Sequence, residues 1–188
     1  MQRNFEIALL SKEQWAGYPI PISYTTDKYY DVIIEKNADG FKVDMALKDF
    51  SEPVSHYPEE YDFPDKLYAE YYENACAYGV VINSELVAAI ETAPEEWSNR
   101  LRVTELWVSP KYQKLGLGHR LMEVAKEQAK RENRRAVILE TQSCNVNAIG
   151  FYLHEGFTLI GFDSCCYANN DLQRKEVRIE LGYFPDAK

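Results

Sequence analysis

Val103-Thr-Glu-Leu-Trp-Val-Ser-Pro110-Lys-Tyr-Gln-Lys-Leu-Gly116-Leu-Gly118-His-Arg120 is the run around which the chain is organised. Its first part is β-branched and apolar and stops at Pro110, the pattern of a strand. From His119 onward, Leu121, Val124, Ala125 and Ala129 recur with helical spacing. Gln113 to Gly118 therefore joins a strand to a helix. Gly116 and Gly118 allow a ligand to approach the backbone closely, and a helix start offers amide N–H groups and a positive dipole end. These features describe an anion site suited to phosphate. A dinucleotide fingerprint requires a third glycine where Leu121 stands, and a Walker loop requires Gly-Lys-Ser/Thr where Gly118-His119-Arg120 stands.

Working outward, Ala75–Ile82 and Leu86–Thr92 are apolar strands joined by Asn83-Ser84-Glu85, a predicted hairpin. Pro94–Arg100 is a polar loop. After the helix, whose end falls at Asn133, Ala136–Thr141 is a nearly continuous apolar strand of the kind buried on both faces. Asn145 or Asn147 caps a second helix that Gly156 ends, followed by strands at Phe157–Phe162 and Glu176–Tyr183. Toward the N-terminus, Asp31–Glu35 and Phe41–Leu47 flank the turn Asn37–Gly40 and read as a hairpin. Ser51–Asp65, with three prolines and the acidic residues Glu52, Glu59, Glu60, Asp62 and Asp65, is expected to be an exposed loop, and Asp65–Tyr72 a short helix. Residues 1–30 give no clear pattern. The sum is an α/β fold with a mixed sheet.

At 188 residues, one domain with one core is the expectation. Apolar content of 46% excludes a disordered chain, and the absence of any 18-residue apolar run excludes a spanning helix. The net charge of −9 argues against nucleic acid and is compatible with a cationic substrate. Cys76, Cys144, Cys165 and Cys166 show no metal-ligand spacing, and the last two are adjacent, a poor geometry for a mutual disulfide. With no signal peptide visible, a reducing cytoplasm is the expected compartment.

Gln113-x-x-Gly116-x-Gly118 after Val108-Ser-Pro110, followed downstream by Asn145-x-x-Ala148-x-x-Phe151-Tyr152-x-x-x-Gly156-Phe157, resembles the two signatures of the GNAT N-acetyltransferases. The resemblance covers residues 75–184, with 1–74 as a divergent acceptor-side part of the same domain. It implies a mostly antiparallel sheet whose two central parallel strands splay apart, flanking helices, and acetyl-CoA as co-substrate with no metal. Pantetheine would pair with the strand edge at Leu106, Trp107 and Val108. The pyrophosphate would sit on Gln113, Lys114, Leu115, Gly116, Leu117, Gly118, His119 and Arg120, with Asn145 and Ala148 as further cofactor contacts. Tyr152 falls at the family's position for the acid that protonates the CoA thiolate. Leu139-Glu-Thr-Gln142-x-x-Asn145, Phe151-Tyr152, Gly156-Phe157, Gly161 and Tyr167-Ala-Asn169 look in particular like streptothricin acetyltransferases, which acetylate an amine of a cationic antibiotic.

An amine with a pKa of about 10.4 must lose a proton before it attacks a thioester. Glu105, which interrupts the apolar strand beside the cofactor track, is the candidate base, and Glu140 on the neighbouring strand is its rival. An exposed carboxylate on the far side of the pleat is the alternative for Glu105. Cys144 has no patterned histidine to activate it and reads as a plain thiol. His119 faces phosphate or solvent, and His154 suits a helix C-terminus. The expected function is acetyl transfer to a primary amine of a small cationic molecule. Acetylation of a peptide N-terminus or lysine, and a non-catalytic acyl-CoA sensor, are the alternatives. No nucleic acid or membrane partner is expected, and a homodimer is left open.

Overall fold

The computed structural model describes residues 5–60 and 64–185. In chain order the elements are β1 (Ala8–Leu10), α1 (Lys12–Trp15), β2 (Tyr24–Asn37), β3 (Gly40–His56), β4 (Cys76–Ile82), β5 (Glu85–Glu95), β6 (Arg100–Val108), α2 (Leu117–Arg131), β7 (Ala136–Gln142), α3 (Val146–His154), β8 (Thr158–Asp163), α4 (Asp171–Arg174) and β9 (Arg178–Tyr183). They fall into two compact units. One draws on Met1–Ile22, Pro58–Leu139 and Tyr183–Lys188, the other on Ser23–Tyr57 and Glu140–Gly182.

The first unit is built on strands in the order β1-β4-β5-β6-β7, antiparallel except for the β6–β7 pair. The expected hairpin is present. Asn83 and Ser84 both take positive φ, 50° and 67°, the backbone of a two-residue turn whose twist matches that of its strands. Pro94, expected in a loop, continues β5, so the connection to β6 is a short 3₁₀ turn closed by Asn99 in the left-handed region. α2 covers this sheet with Leu117, Leu121, Met122, Ala125 and Ala129 buried, and Thr92 donates to Gln128 Oε1 at 2.8 Å.

Asp65–Tyr72 is not a helix. Tyr68 sits at φ 55°, its hydroxyl donates to the Leu10 carbonyl and accepts from the Ala77 amide at 3.1 Å, and its own amide donates to Glu91. One residue, through its hydroxyl and its amide, thus ties β1, β4 and β5 together among the buried Leu10, Ile20, Leu67 and Leu86. These contacts outweigh local helix preference.

In the second unit, β2 and β3 form the expected hairpin but run much further. Ser51–His56 belongs to β3 rather than to a loop. The register jumps between Thr26↔Val54 and Lys28↔Asp49, and Pro53 lies inside that irregularity, where no ladder donor is needed. Tyr61 to Phe63, including Asp62 of the acidic stretch, lies outside the described residues. Buried Asp31 takes ion pairs from Lys48 at 2.6 Å and Lys175 at 2.8 Å, and these hold its carboxyl below the usual range. β8 and β9 pair antiparallel, and Asn145 caps α3 as one of the two expected residues. No described helix is long and apolar enough to cross a membrane.

Gly79 marks a close approach within the first unit. A Cβ there would lie 2.5 Å from the Ala88 carbonyl oxygen and 2.8 Å from Leu10 Cδ1. Since the carbonyl belongs to a paired strand, Gly79→Ala is expected to cost roughly 1–3 kcal/mol by overpacking, read as a lower urea midpoint at unchanged slope.

Candidate functional site

The predicted site residues of the first unit lie on one continuous piece of chain. β6 pairs with β7 only at Arg100–Arg102 against Ala136–Ile138, and no further β6–β7 pairs occur among the described residues. Its other edge is fully engaged: Leu106, Trp107 and Val108 lie opposite Ile90, Ala89 and Ala88. Alternate backbone groups of Val103–Val108 therefore point away from β5, where an extended ligand could add as a strand does.

A bulge interrupts the β5–β6 ladder. Thr92 faces Val103 and Glu91 faces Glu105, leaving Thr104 as the extra residue. Glu91 is fully buried, and its carboxylate accepts from the Tyr68 amide and from Thr104 Oγ1 at 2.8 Å. It thereby fastens the bulge from which Glu105 projects. Burial pushes the Glu91 carboxyl above the usual carboxylate range, with the Tyr68 and Thr104 bonds acting the other way. Glu105 is itself buried, at 8% exposure, so the exposed-face alternative does not hold. Glu91 was missed in the sequence because it sits in an apolar run with nothing local to mark it.

Beyond β6 the chain makes a 3₁₀ turn at Pro110–Tyr112. Lys114 and Gly116 take positive φ, 60° and 80°, and α2 begins at Leu117 with no side chain capping it. A Cβ on Gly116 would meet open space, so it is the left-handed backbone that calls for glycine there. The uncapped first turn leaves outward-facing amides, the arrangement that suits an anion. Gln113 Nε2 donates to the Val108 carbonyl at 3.1 Å, bracing the loop against the strand. Arg120 turns its guanidinium to the Phe5 carbonyl at 2.7 Å, while Lys114, Leu115 and His119 are exposed. A concavity of about 370 Å³ lined by Tyr71, Tyr72, Trp97 and Arg102 contains none of the predicted residues.

In the second unit, Asn145 accepts from the Ala148 amide at 3.3 Å and so starts α3, which buries Tyr152 against Phe151 and Phe157 with ring centroids 5.4 and 6.0 Å away. Glu140 is ion-paired with Arg178, which also holds Glu180 at 2.8 Å. Cys144 is buried and its thiol is pushed up to about 11 by desolvation. A histidine does approach it: His56 Nε2 lies 3.7 Å from its sulfur, and the Tyr24 hydroxyl lies 3.3 Å away while donating to Gln142 at 2.5 Å. The 88-residue separation of His56 from Cys144 left no trace in local pattern. A thiol held so far toward its neutral form is a poor nucleophile, so this cluster is structural.

A strand edge left largely unpaired, a glycine turn and an uncapped helix start form a site suited to an extended ligand that carries phosphate. The model of the acetyltransferase (GNAT) family matches residues 43–157. The chain belongs to that family and is an N-acetyltransferase. It is 28% identical over 170 residues to a streptothricin acetyltransferase of Escherichia coli, covering 90% of this chain and 95% of the relative. A solved nourseothricin acetyltransferase superposes with a TM-score of 0.72 at 20% identity over 96% of this chain and 98% of the other. A structure from Bacillus anthracis str. Ames in complex with acetyl coenzyme A gives 0.71 at 24% identity, over 98% and 99%.

The raised Glu91 carboxyl has a thermodynamic signature. A folded value above the ordinary 4.5 means the folded state binds the proton more tightly, so this group's contribution is complete below about pH 4.5 and is lost as pH rises through the folded value. In Glu91→Gln, the amide oxygen can still accept from Tyr68 and its NH₂ can donate to Thr104. The variant is therefore expected to lose that decline, gaining stability relative to the parent as pH rises from 4.5 toward 8. Urea titrations at a series of pH values measure the difference, and parallel curves would rule the linkage out.

Proposed function

We propose that this enzyme moves the acetyl group of acetyl-CoA to a primary amine on a small cationic molecule of the streptothricin type. The alignment with the E. coli streptothricin acetyltransferase along nearly the whole chain carries the choice of acceptor. The acetyl-CoA complex of the B. anthracis structure and the uncapped start of α2 support the donor.

Acetyl-CoA supplies the acetyl group already activated as a thioester. The amides of Leu117, Gly118 and His119, on the turn set by Gly116, hold its pyrophosphate. The edge of Leu106–Val108 that faces away from β5 pairs with pantetheine, and Asn145 and Ala148 shape the start of α3. Glu105 accepts the proton of the incoming ammonium, which lets the neutral amine attack the carbonyl carbon. The C–S bond breaks as the C–N bond forms, the new amide nitrogen gives its surplus proton to solvent, and the Tyr152 hydroxyl gives its proton to the departing thiolate and recovers one from solvent. Glu140 is the weaker choice of base, because it must surrender its Arg178 contact to take a proton. Residues 1–188 serve as one catalytic domain, with 1–74 on the acceptor side and 75–184 carrying the cofactor. The net charge of −9, with Glu52, Glu59, Glu60 and Asp65 in the N-terminal part, favours encounter with a polycation and disfavours nucleic acid. Free thiols at all four cysteines support a reducing, cytoplasmic setting.

Gly118→Glu places a side chain and a negative charge at the phosphate contact, so acetyl-CoA is expected to stop raising the melting temperature; an undiminished rise removes the loop from the site. Tyr152→Phe is expected to lower kcat about 10²-fold with acetyl-CoA affinity unchanged, the scale of a lost general acid. Glu105→Gln, and not Glu140→Gln, is expected to displace the pH–rate profile. The acceptor is tested by assaying streptothricin, an aminoglycoside and a lysine peptide side by side at low and high salt. The expected result is preference for streptothricin, with kcat/KM falling as salt rises. Preference for the peptide would overturn the antibiotic assignment and leave the acetyltransferase intact.

A further inference from the structure

Cys165 and Cys166 stand apart from everything used above. They are consecutive, free and exposed, on the turn that leaves β8. Three contacts distinguish them. Asp163 Oδ1 accepts from the Cys165 amide at 2.9 Å and from its thiol at 3.4 Å. Arg178 Nη1 donates to the Cys166 sulfur at 3.5 Å, while the same guanidinium holds Glu140 and Glu180.

We propose that Cys165 and Cys166 form a vicinal dithiol site that chelates a trivalent arsenical. Three observations carry it. First, neighbouring Cα atoms across a trans peptide lie about 3.8 Å apart, short of the roughly 4.4–6.8 Å that disulfides span, so the two sulfurs are poorly placed to bond each other and persist as a dithiol. A single larger atom bonded to both sulfurs closes a wider ring and escapes that restriction. Second, hydrogen bonds to Asp163 and Arg178 fix both thiols on one exposed turn. Third, the remaining cysteines are less accessible: Cys144 is fully buried, and Cys76 is half-buried on β4.

The chemistry balances without an oxidant. One sulfur attacks arsenic and displaces one oxygen ligand, and the other follows. Both thiol protons leave with the oxygen: an arsine oxide R–As=O and two thiols give R–As(S)₂ and one water. The second As–S bond forms within the molecule, at an effective concentration on the order of millimolar or more, which makes the chelate far tighter than capture by one thiol. Because Arg178 also neutralises Glu140, the chelate lies one side chain away from a proposed proton acceptor. The site itself does not depend on how acetyl transfer is assigned.

The experiment uses phenylarsine oxide as the probe and intact-protein mass as the readout. The whole chain is expected to take up one phenylarsenic unit with loss of two hydrogens, released by dimercaptopropanol. Cys165→Ser and Cys166→Ser should each abolish uptake that survives excess monothiol, and Cys76→Ser/Cys144→Ser should retain it. Both critical positions are exposed, so these variants are expected to fold, and unchanged circular dichroism checks this. Stable uptake by either single serine variant, no uptake by the parent, or loss of uptake in the Cys76/Cys144 variant would each overturn the proposal.

Discussion

The buried carboxylate of Glu91 is the constraint on which the first unit turns. An isolated carboxylate in an apolar sheet costs several kcal/mol unless it is hydrogen-bonded. Here it accepts from the Tyr68 amide and the Thr104 hydroxyl, one on the segment leading to β4 and one at the bulge of β6. Each donor explains a local oddity: a tyrosine with positive φ where a helix was expected, and an extra residue in an otherwise regular ladder. Glu105 follows directly from the second. A strand without the bulge would carry every later side chain to the opposite face, since the period along a strand is two residues.

The same strand shows how a sheet can leave room for a ligand. β6 is paired on one side at every residue but Thr104 and paired for only three residues on the other. A backbone edge whose hydrogen-bonding groups face a gap instead of a neighbour is costly to bury and easy to use. The turn after it ends in a helix start with no capping side chain, a second set of donors left for something other than the protein. Both devices belong to backbone, so the chemistry of this region depends less on side-chain identity than on where pairing stops and where Gly116 turns.

Legibility in the sequence follows from this. Strand, glycine turn and helix were readable because each signal is local: a β-branched run, positive-φ turn residues and a helical repeat of about 3.6 residues. The α3 cap at Asn145 and the tight turn at Asn83-Ser84 were readable for the same reason. What stayed hidden depends on partners distant in sequence. Tyr68 answers to Leu10 and Glu91, His56 to Cys144, and Pro53 is tolerated only because the facing strand is out of register there. The prolines and acids of residues 51–60 suggested solvent and turns, and extension to His56 came from pairing with Tyr24, a contact far beyond the reach of any local window. Of the candidate site, the motif positions could be read and the support beneath them could not, because Glu91 lies among apolar neighbours and is defined by what it accepts.

The β2–β3 hairpin has a bearing on how such a chain could diversify. Its ladder is satisfied by backbone groups of its own two strands over most of their length, and Phe41, Val43 and Leu47 project from it largely exposed. Side chains that neither pair nor pack can be exchanged without reopening the ladder beneath them. The hairpin is thus a region where mutational drift is cheap. The first unit, where Gly79 has no room for a methyl group and Glu91 answers to two donors at once, is one where drift is expensive. A chain partitioned in this way can change its surface character rapidly while the segment from β4 to α2 stands still.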